Sequence, residues 1–364
     1  MAGGSGERFW PLSRITKPKQ LLNLSNPNRN MLQQSIDRIR GIIDLDDIFI
    51  ITSKILQSEI RNSLPEIAPQ NIIAEPAKRN TAPCLALGAS IILSKYKEFS
   101  PESITVSVLT ADQLIKPELN FQESIIKLND FCLNNKSIAT IGIKPTRPET
   151  GFGYIEINDK IHPDNGIYNA IKFHEKPNLE TAKNYLQKGN FLWNSGMFFF
   201  RLDYFINELK NNLPAVGNEI DQLSKSYKNY IDTIFDGANP DIVGIYEAMP
   251  DISIDYGLME LTAKVNVLQS NFQWDDLGTW DSLFRLGKTD INGNVTEGNL
   301  ELCNVTNSIV LNKTSKKFIT TGLDLDRMVI INTDDALMIC PLDSAQDIKK
   351  LVNQIKNNNK LTWL

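Results

Sequence analysis

Along the first half of the chain, short runs of branched apolar residues alternate with longer stretches in which apolar positions recur every three or four residues. The runs Ile48–Thr52, Asn71–Ala74, Ile104–Leu109 and Ile138–Ile141 have the length and composition of strands, and helix-like segments fill the gaps. One helix should begin near Thr81. Asn80 and Thr81 are capping residues, Pro83 suits a first turn, and Leu85, Ala89, Ile92 and Leu93 share a face. The alternation predicts an α/β fold with a mostly parallel sheet covered by helices. Beyond Gly151 the pattern becomes mixed, with strands at Tyr154–Ile157, Ile167–Phe173 and Met197–Phe200 and a helix at Asn178–Gln187, as an inserted substrate half would give. From about Asn294, strand-like pieces punctuated by Gly and Asn run to Ile339, and an amphipathic helix follows at Ser344–Ile355. The expected division is a large α/β region at 1–288 and a small β-rich region at 289–364. No short-period repeat stands out.

With 364 residues the chain exceeds what one core usually holds, which agrees with one large domain and a smaller one. A net charge of -5 offers no broad basic field, so binding to a nucleic acid backbone is not expected. The four cysteines lie far apart and only His162 and His174 occur, which argues against zinc and disulfides. No apolar run approaches the roughly 18 to 20 residues that span a bilayer, and no signal peptide precedes the first motif, so no membrane association and a cytoplasmic location are expected.

The opening Gly3-Gly4-Ser5-Gly6-Glu7-Arg8-Phe9-Trp10-Pro11 places small residues where backbone N–H groups can approach phosphate oxygens, with Arg8 as a fixed cation. It lacks the Gly-Lys-Ser/Thr ending of a P-loop and the third glycine of a dinucleotide fingerprint. A tight strand-to-loop turn explains the glycines equally well. Pro18 stiffens the segment that carries Lys19, which suits a lysine aimed at phosphates. Asp112 follows an apolar run, at the strand end where ligands gather in open sheets, and is either a metal ligand or a turn cap. Asp276 supplies a second carboxylate, while Asp275 reads as the cap of the pair.

In order, these features resemble the sugar nucleotidyltransferase family, whose signature Gly-Gly-x-Gly-x-Arg-Leu-x-Pro followed by Pro-Lys stands here as Gly3 to Pro11 with Pro18-Lys19. The resemblance continues through Glu75-Pro76-Ala77 with Asn80-Thr81-Ala82-Pro83, Asp112, Gly151-Phe152-Gly153-Tyr154, Glu175-Lys176-Pro177, Trp193-Asn194-Ser195-Gly196-Met197, Ser253-Ile254-Asp255-Tyr256 and Trp274-Asp275-Asp276-Leu277-Gly278. The segment from Glu75 to Pro83 is similar to that of the mannose-1-phosphate guanylyltransferases within the family.

The resemblance implies a Rossmann-like nucleotide-diphospho-sugar transferase fold with a mixed sheet, followed by a left-handed β-helix-like domain. It implies the reaction of GTP with mannose 1-phosphate to give GDP-mannose and pyrophosphate, by in-line attack on the α-phosphate with Mg2+ as cofactor. Arg8, Lys19 and Asp112 would be catalytic. Gly3, Gly4, Ser5, Gly6, Glu75, Asn80 and Thr81 would bind the nucleotide. Gly153, Glu175, Lys176, Asn194 and Asp255 would bind the sugar phosphate, and Asp112 and Asp276 would hold the metal. A homodimer is compatible with the resemblance, and no isomerase domain is expected.

This sequence departs from the family pattern in a few places. Phe9 replaces a leucine, Gln113 stands where histidine is frequent, and Leu261 where lysine is common. Met1-Ala2 supplies almost no strand before the glycines, which predicts exposed core surface and a loosened loop. Two other readings remain open. One is a relative that joins glucose 1-phosphate to UTP or dTTP, and the other is a non-catalytic subunit that binds a nucleotide sugar.

Overall fold

The computed structural model describes residues 1–4, 6–158, 166–228, 235, 237–262, 264–287 and 289–364. Ser5 and His162 lie outside the described residues. The chain forms two compact units. One comprises Met1–Ala2, Asp37–Thr110 and Ile115–Trp274, and the other Gly3–Ile36, Ala111–Leu114 and Asp275–Leu364. In the second unit the signature segment is compact with the chain's last ninety residues.

In the first unit, β1 (Ile50–Ser53) and β2 (Ile72–Glu75) form a parallel pair. A six-stranded sheet is built from β3 (Thr105–Val108), β4 (Ile138–Ile143), β5 (Tyr154–Ile157), β6 (Ile167–His174), β7 (Phe191–Arg201) and β8 (Val265–Gln269). Their order is β3-β7-β4-β8-β6-β5, and β5 also bonds to β7. The sheet is mixed, with β4–β8 parallel and the other pairings antiparallel. The mostly parallel sheet suggested by the alternation is therefore corrected. The segments after Gly151 are strands of this same sheet and not an inserted half. Helix Thr81–Lys95 is buried nearly all round, through Ala82, Leu85, Ala86, Leu87 and Ile91, in one core with Ile51, Ile73 and Val108. Beside that core β3 is only half-buried at Thr105, Val106 and Ser107, as the exposure expected there would have it. Ala2 is buried and donates its N–H to the Ile51 carbonyl at 3.0 Å, and the Thr52 hydroxyl donates to the Ala2 carbonyl at 3.0 Å.

The longest strand, β7, absorbs the Trp193-Asn194-Ser195-Gly196 motif, which reads as a turn in sequence. Opposite it the register with β4 slips between Thr140 and Gly142, and Gly196 takes a φ of 72°. A bulge thus re-aims Asn194 without ending the strand, and a glycine allows the left-handed backbone that the bulge needs.

In the second unit, β9 (Val295–Glu297), β10 (Leu300–Thr306), β11 (Ile309–Asn312), β12 (Thr320–Asp326), β13 (Met328–Asn332) and β14 (Leu337–Pro341) wind into a β-helix-like coil. Strands β9, β11 and β13 stack in parallel, as do β10 and β12, and β14 closes against β13 antiparallel. Leu300 stands opposite Thr320 and Ile309 opposite Val329, a repeat of about twenty residues that composition did not reveal. The corners repeat with it. Asn304 and Asp324 share a left-handed φ of 52° and bond side chain to side chain at 2.6 Å, and Thr306 donates to Asp326 at 2.7 Å. Val305, Val310 and Ile330 fill the coil. Helix Ile348–Asn357 follows a short 3-10 turn and buries Ile348 and Val352 in one cluster with Phe9, Trp10, Trp280, Leu311 and Val329.

Candidate functional site

The second unit carries a charged cavity of about 320 Å³ lined by Gly6, Glu7, Arg8, Phe9, Lys19, Asp112, Asp276, Gly278 and Lys349. The signature loop enters it through Gly6, and the φ values of 103° at Gly4 and 57° at Gly6 exclude most side chains. Gly6 is further constrained. A Cβ there would lie 2.6 Å from both the Cβ and the backbone nitrogen of Lys19. The first motif thus packs backbone against backbone on the second, which fixes where the lysine starts. Phe9 is fully buried and meets Trp280 edge-on with ring centres 5.0 Å apart, so the aromatic in place of leucine extends this unit's core.

Lys19 is 7% exposed, and its ammonium lies 2.9 Å from the Asp112 carboxylate and donates to the Asp276 carbonyl. Burial pushes the Asp276 carboxyl up to about 6, against the attraction of Lys19. Gly278 leaves room for that carboxylate, since a Cβ there would sit 2.6 Å from Asp276 Oδ2. Asp275 is occupied structurally. It accepts the Leu277 N–H at 2.8 Å and pairs with the Arg285 guanidinium. Arg8 is exposed at the rim and makes no hydrogen bond or ion pair among the described residues. No cluster of three or more His, Cys, Asp or Glu residues suited to a metal occurs among the described residues. Asp112 and Asp276 in one cavity are nonetheless a donor set that suits a hard divalent cation, which takes one or two carboxylates and completes its shell with phosphates and water.

The first unit assembles the residues expected for the sugar phosphate. Glu175, directly after β6, has a side chain only 8% exposed and accepts from the Lys176 ammonium at 2.5 Å. Gly153 makes room for it, because a Cβ there would stand 2.6 Å from Glu175 Oε2. The Gly153 carbonyl accepts the Asn194 N–H at 2.8 Å, and the Asn194 amide donates to Asp255 at 3.2 Å. Burial and the Glu175 charge together push the Asp255 carboxyl up to about 6. Burial works against the Lys176 charge, yet the hydrogen bond and charge of Glu175 leave its pKa raised. Two carboxylates, an amide and an ammonium therefore converge, a set that can grip hydroxyls and one phosphate. Beside it stands a wall that the sequence reading missed. Phe152 packs on Trp193 and Trp274, and the Arg147 guanidinium lies 5.0 Å from the Trp193 ring centre.

The residues expected at the base also lie in the first unit. Asn80 caps the helix that starts at Thr81, with a φ of 66° and its side-chain oxygen accepting the Thr81 N–H. The exposed amide NH2 is left for a ligand. The Thr81 hydroxyl accepts the Ile254 N–H at 2.8 Å, so Thr81 anchors the segment that carries Asp255. Glu75 accepts from the Tyr246 hydroxyl at 2.6 Å, and burial raises its pKa even though that hydrogen bond lowers it.

Residues 1–293 match the Nucleotidyl transferase family, and residues 304–355 match the MannoseP isomerase/GMP-like beta-helix domain. The chain belongs to the nucleotidyl transferase family. It is 36% identical to a mannose-1-phosphate guanylyltransferase of Salmonella montevideo over 99% of this chain and 74% of the relative. A mannose-1-phosphate guanylyltransferase of Escherichia coli (strain K12) is also 36% identical, over 99% of this chain and 73% of its own length. The crystal structure described as mannose-1-phosphate geranyltransferase from Thermus thermophilus superposes with a TM-score of 0.84 at 26% identity, covering 98% of both chains. Among the described residues, no helix of this transferase is long and apolar enough to cross a membrane.

Proposed function

We propose that this transferase joins GTP to mannose 1-phosphate, giving GDP-mannose and pyrophosphate by attack of a sugar-phosphate oxygen on the α-phosphorus. The observation that carries the reading is the buried Lys19, held between Asp112 and Asp276 in a cavity entered by the glycine loop. The names of the relatives supply the sugar and the base. A phosphate oxygen is already ionised at neutral pH, so the reaction needs no protein nucleophile or base and depends on placement and charge neutralisation.

Arg8 and Lys19 neutralise the triphosphate and the departing pyrophosphate, and the N–H groups from Gly3 to Gly6 orient its oxygens. Asp112 and Asp276 would hold a divalent cation, Mg2+ by the chemistry of the donors, which offsets charge on the phosphates. Lys176 grips the phosphate of the sugar while Glu175, Asn194 and Asp255 accept or donate hydrogen bonds to its hydroxyls. Asn80 and Glu75 contact the base. The test is pyrophosphate release from the purified protein with magnesium, either mannose 1-phosphate or glucose 1-phosphate, and each of GTP, ATP, UTP and dTTP in parallel. Release with GTP above the other three is expected, and preference for UTP or dTTP with glucose 1-phosphate would replace the reading.

A further inference from the structure

Two cations of the cavity have no partner among the described residues. One is Arg8, and the other is Lys349, on the helix that follows the β-helix-like coil. Of the acids there, Glu7 pairs with Lys356 at 2.6 Å and Asp112 with Lys19 at 2.9 Å. Lys349 is not placed by chance of a free helix face. Ile348 and Val352 are 3% and 2% exposed and anchor the helix in the cluster with Phe9 and Trp10. Lys356 then clamps the same helix to Glu7. Lys349 precedes Lys356 by two turns, about 10.5 Å along the axis, and so lies on the same side as that clamp. The neighbouring Lys350 instead pairs with Asp347 at 2.8 Å.

We infer that Lys349 is a third cationic contact for the nucleotide's β- and γ-phosphates and for the leaving pyrophosphate, lent to the site by the C-terminal helix. This rests on the reading of the cavity as the triphosphate site. A polyanion suits the place, because a flexible ammonium with no partner beside Arg8 and Lys19 can follow phosphate oxygens as they move from triphosphate to pyrophosphate. The role also gives the coil-and-helix tail a function in the reaction beyond packing.

The experiment measures, by calorimetry in magnesium buffer, the affinity of the full chain for inorganic pyrophosphate and for GDP-mannose, in Lys349→Ala, Lys349→Arg, Lys350→Ala and Lys19→Ala. Lys349→Ala should weaken pyrophosphate by roughly tenfold, the worth of one charge-assisted contact, while GDP-mannose, which keeps only the α-phosphate of GTP because its outer phosphate comes from the sugar phosphate, is held nearly as before. Lys349→Arg should restore most of the affinity, and Lys350→Ala should change nothing. Unaltered pyrophosphate affinity in Lys349→Ala alongside a loss in Lys19→Ala would overturn this inference and leave the cavity reading standing. No loss in either variant would overturn both. An equal loss from Lys350→Ala would show a general effect of charge, and would also overturn it.

Discussion

Replacing Gly6 by alanine tests whether the glycine loop works by fixing Lys19. The new Cβ would stand 2.6 Å from two atoms of Lys19, and ordinary contact begins at 3.4 Å, so the two segments must part by about 0.8 Å. The left-handed φ of 57° adds roughly 1–2 kcal/mol for a residue with a Cβ, and overpacking adds about 1–3 kcal/mol. Unfolding free energy should therefore fall by about 2–5 kcal/mol. The larger consequence is kinetic, since a misplacement near 1 Å can lower turnover about 100-fold. Pyrophosphate release at saturating GTP and mannose 1-phosphate, measured well below the melting transition, reads that loss. Gly3→Ala separates the causes. A Cβ at Gly3 meets no atom within 4 Å, so its loss should be smaller and should not touch stability. A folded Gly6→Ala enzyme within about threefold of the parent rate, under 1 kcal/mol of barrier, would refute the reasoning.

Three other outcomes are expected. Asp112→Asn and Asp276→Asn should each raise the magnesium concentration for half-maximal activity by about tenfold or more, and an unchanged requirement in both would remove them as ligands. Asp255 has its native carboxyl raised from 3.8 to about 6, so the folded state holds its proton more tightly than the unfolded chain and the charge opposes folding above pH 6. Asp255→Asn should thus be more stable than the parent at pH 7.5 by up to roughly 3 kcal/mol, and the gap should close as pH falls through 6 toward 4 in urea melts. A gap that widens on acidification would reverse that assignment. Burial pushes the Cys84 thiol up and the Cys132 thiol up to about 12, whereas Cys303 is exposed. Maleimide should accordingly label Cys303 first and reach the two buried thiols only on unfolding, and rapid native labelling of Cys84 would contradict the packing of helix Thr81–Lys95.

Much of the site was legible because its chemistry demands particular residue types next to particular glycines. Gly6 beside Lys19, Gly153 beside Glu175 and Gly278 beside Asp276 follow one rule, in which the missing Cβ gives a functional side chain its space. The order of motifs carried that rule without coordinates. Three features were not legible for reasons of geometry. The bulge at Gly196 lets a tetrapeptide of turn-forming residues sit within an eleven-residue strand, which residue types alone do not show. The twenty-residue coil repeats shape and corner conformation more than residue identity, as Asn304 over Asp324 and Thr306 over Asp326 show. Lys349 sits far along the chain from the loop it joins, on a helix whose amphipathic pattern reports only burial of Ile348 and Val352.

The measurement closest to the central claim follows both ends of the nucleotide through one turnover, using GTP labelled at the α- and γ-phosphates together with mannose 1-phosphate. The account predicts that the α-label enters the nucleotide sugar and the γ-label leaves as pyrophosphate, in equal amounts. Release of the γ-label as orthophosphate, or its transfer to the sugar, would contradict attack at the α-phosphorus.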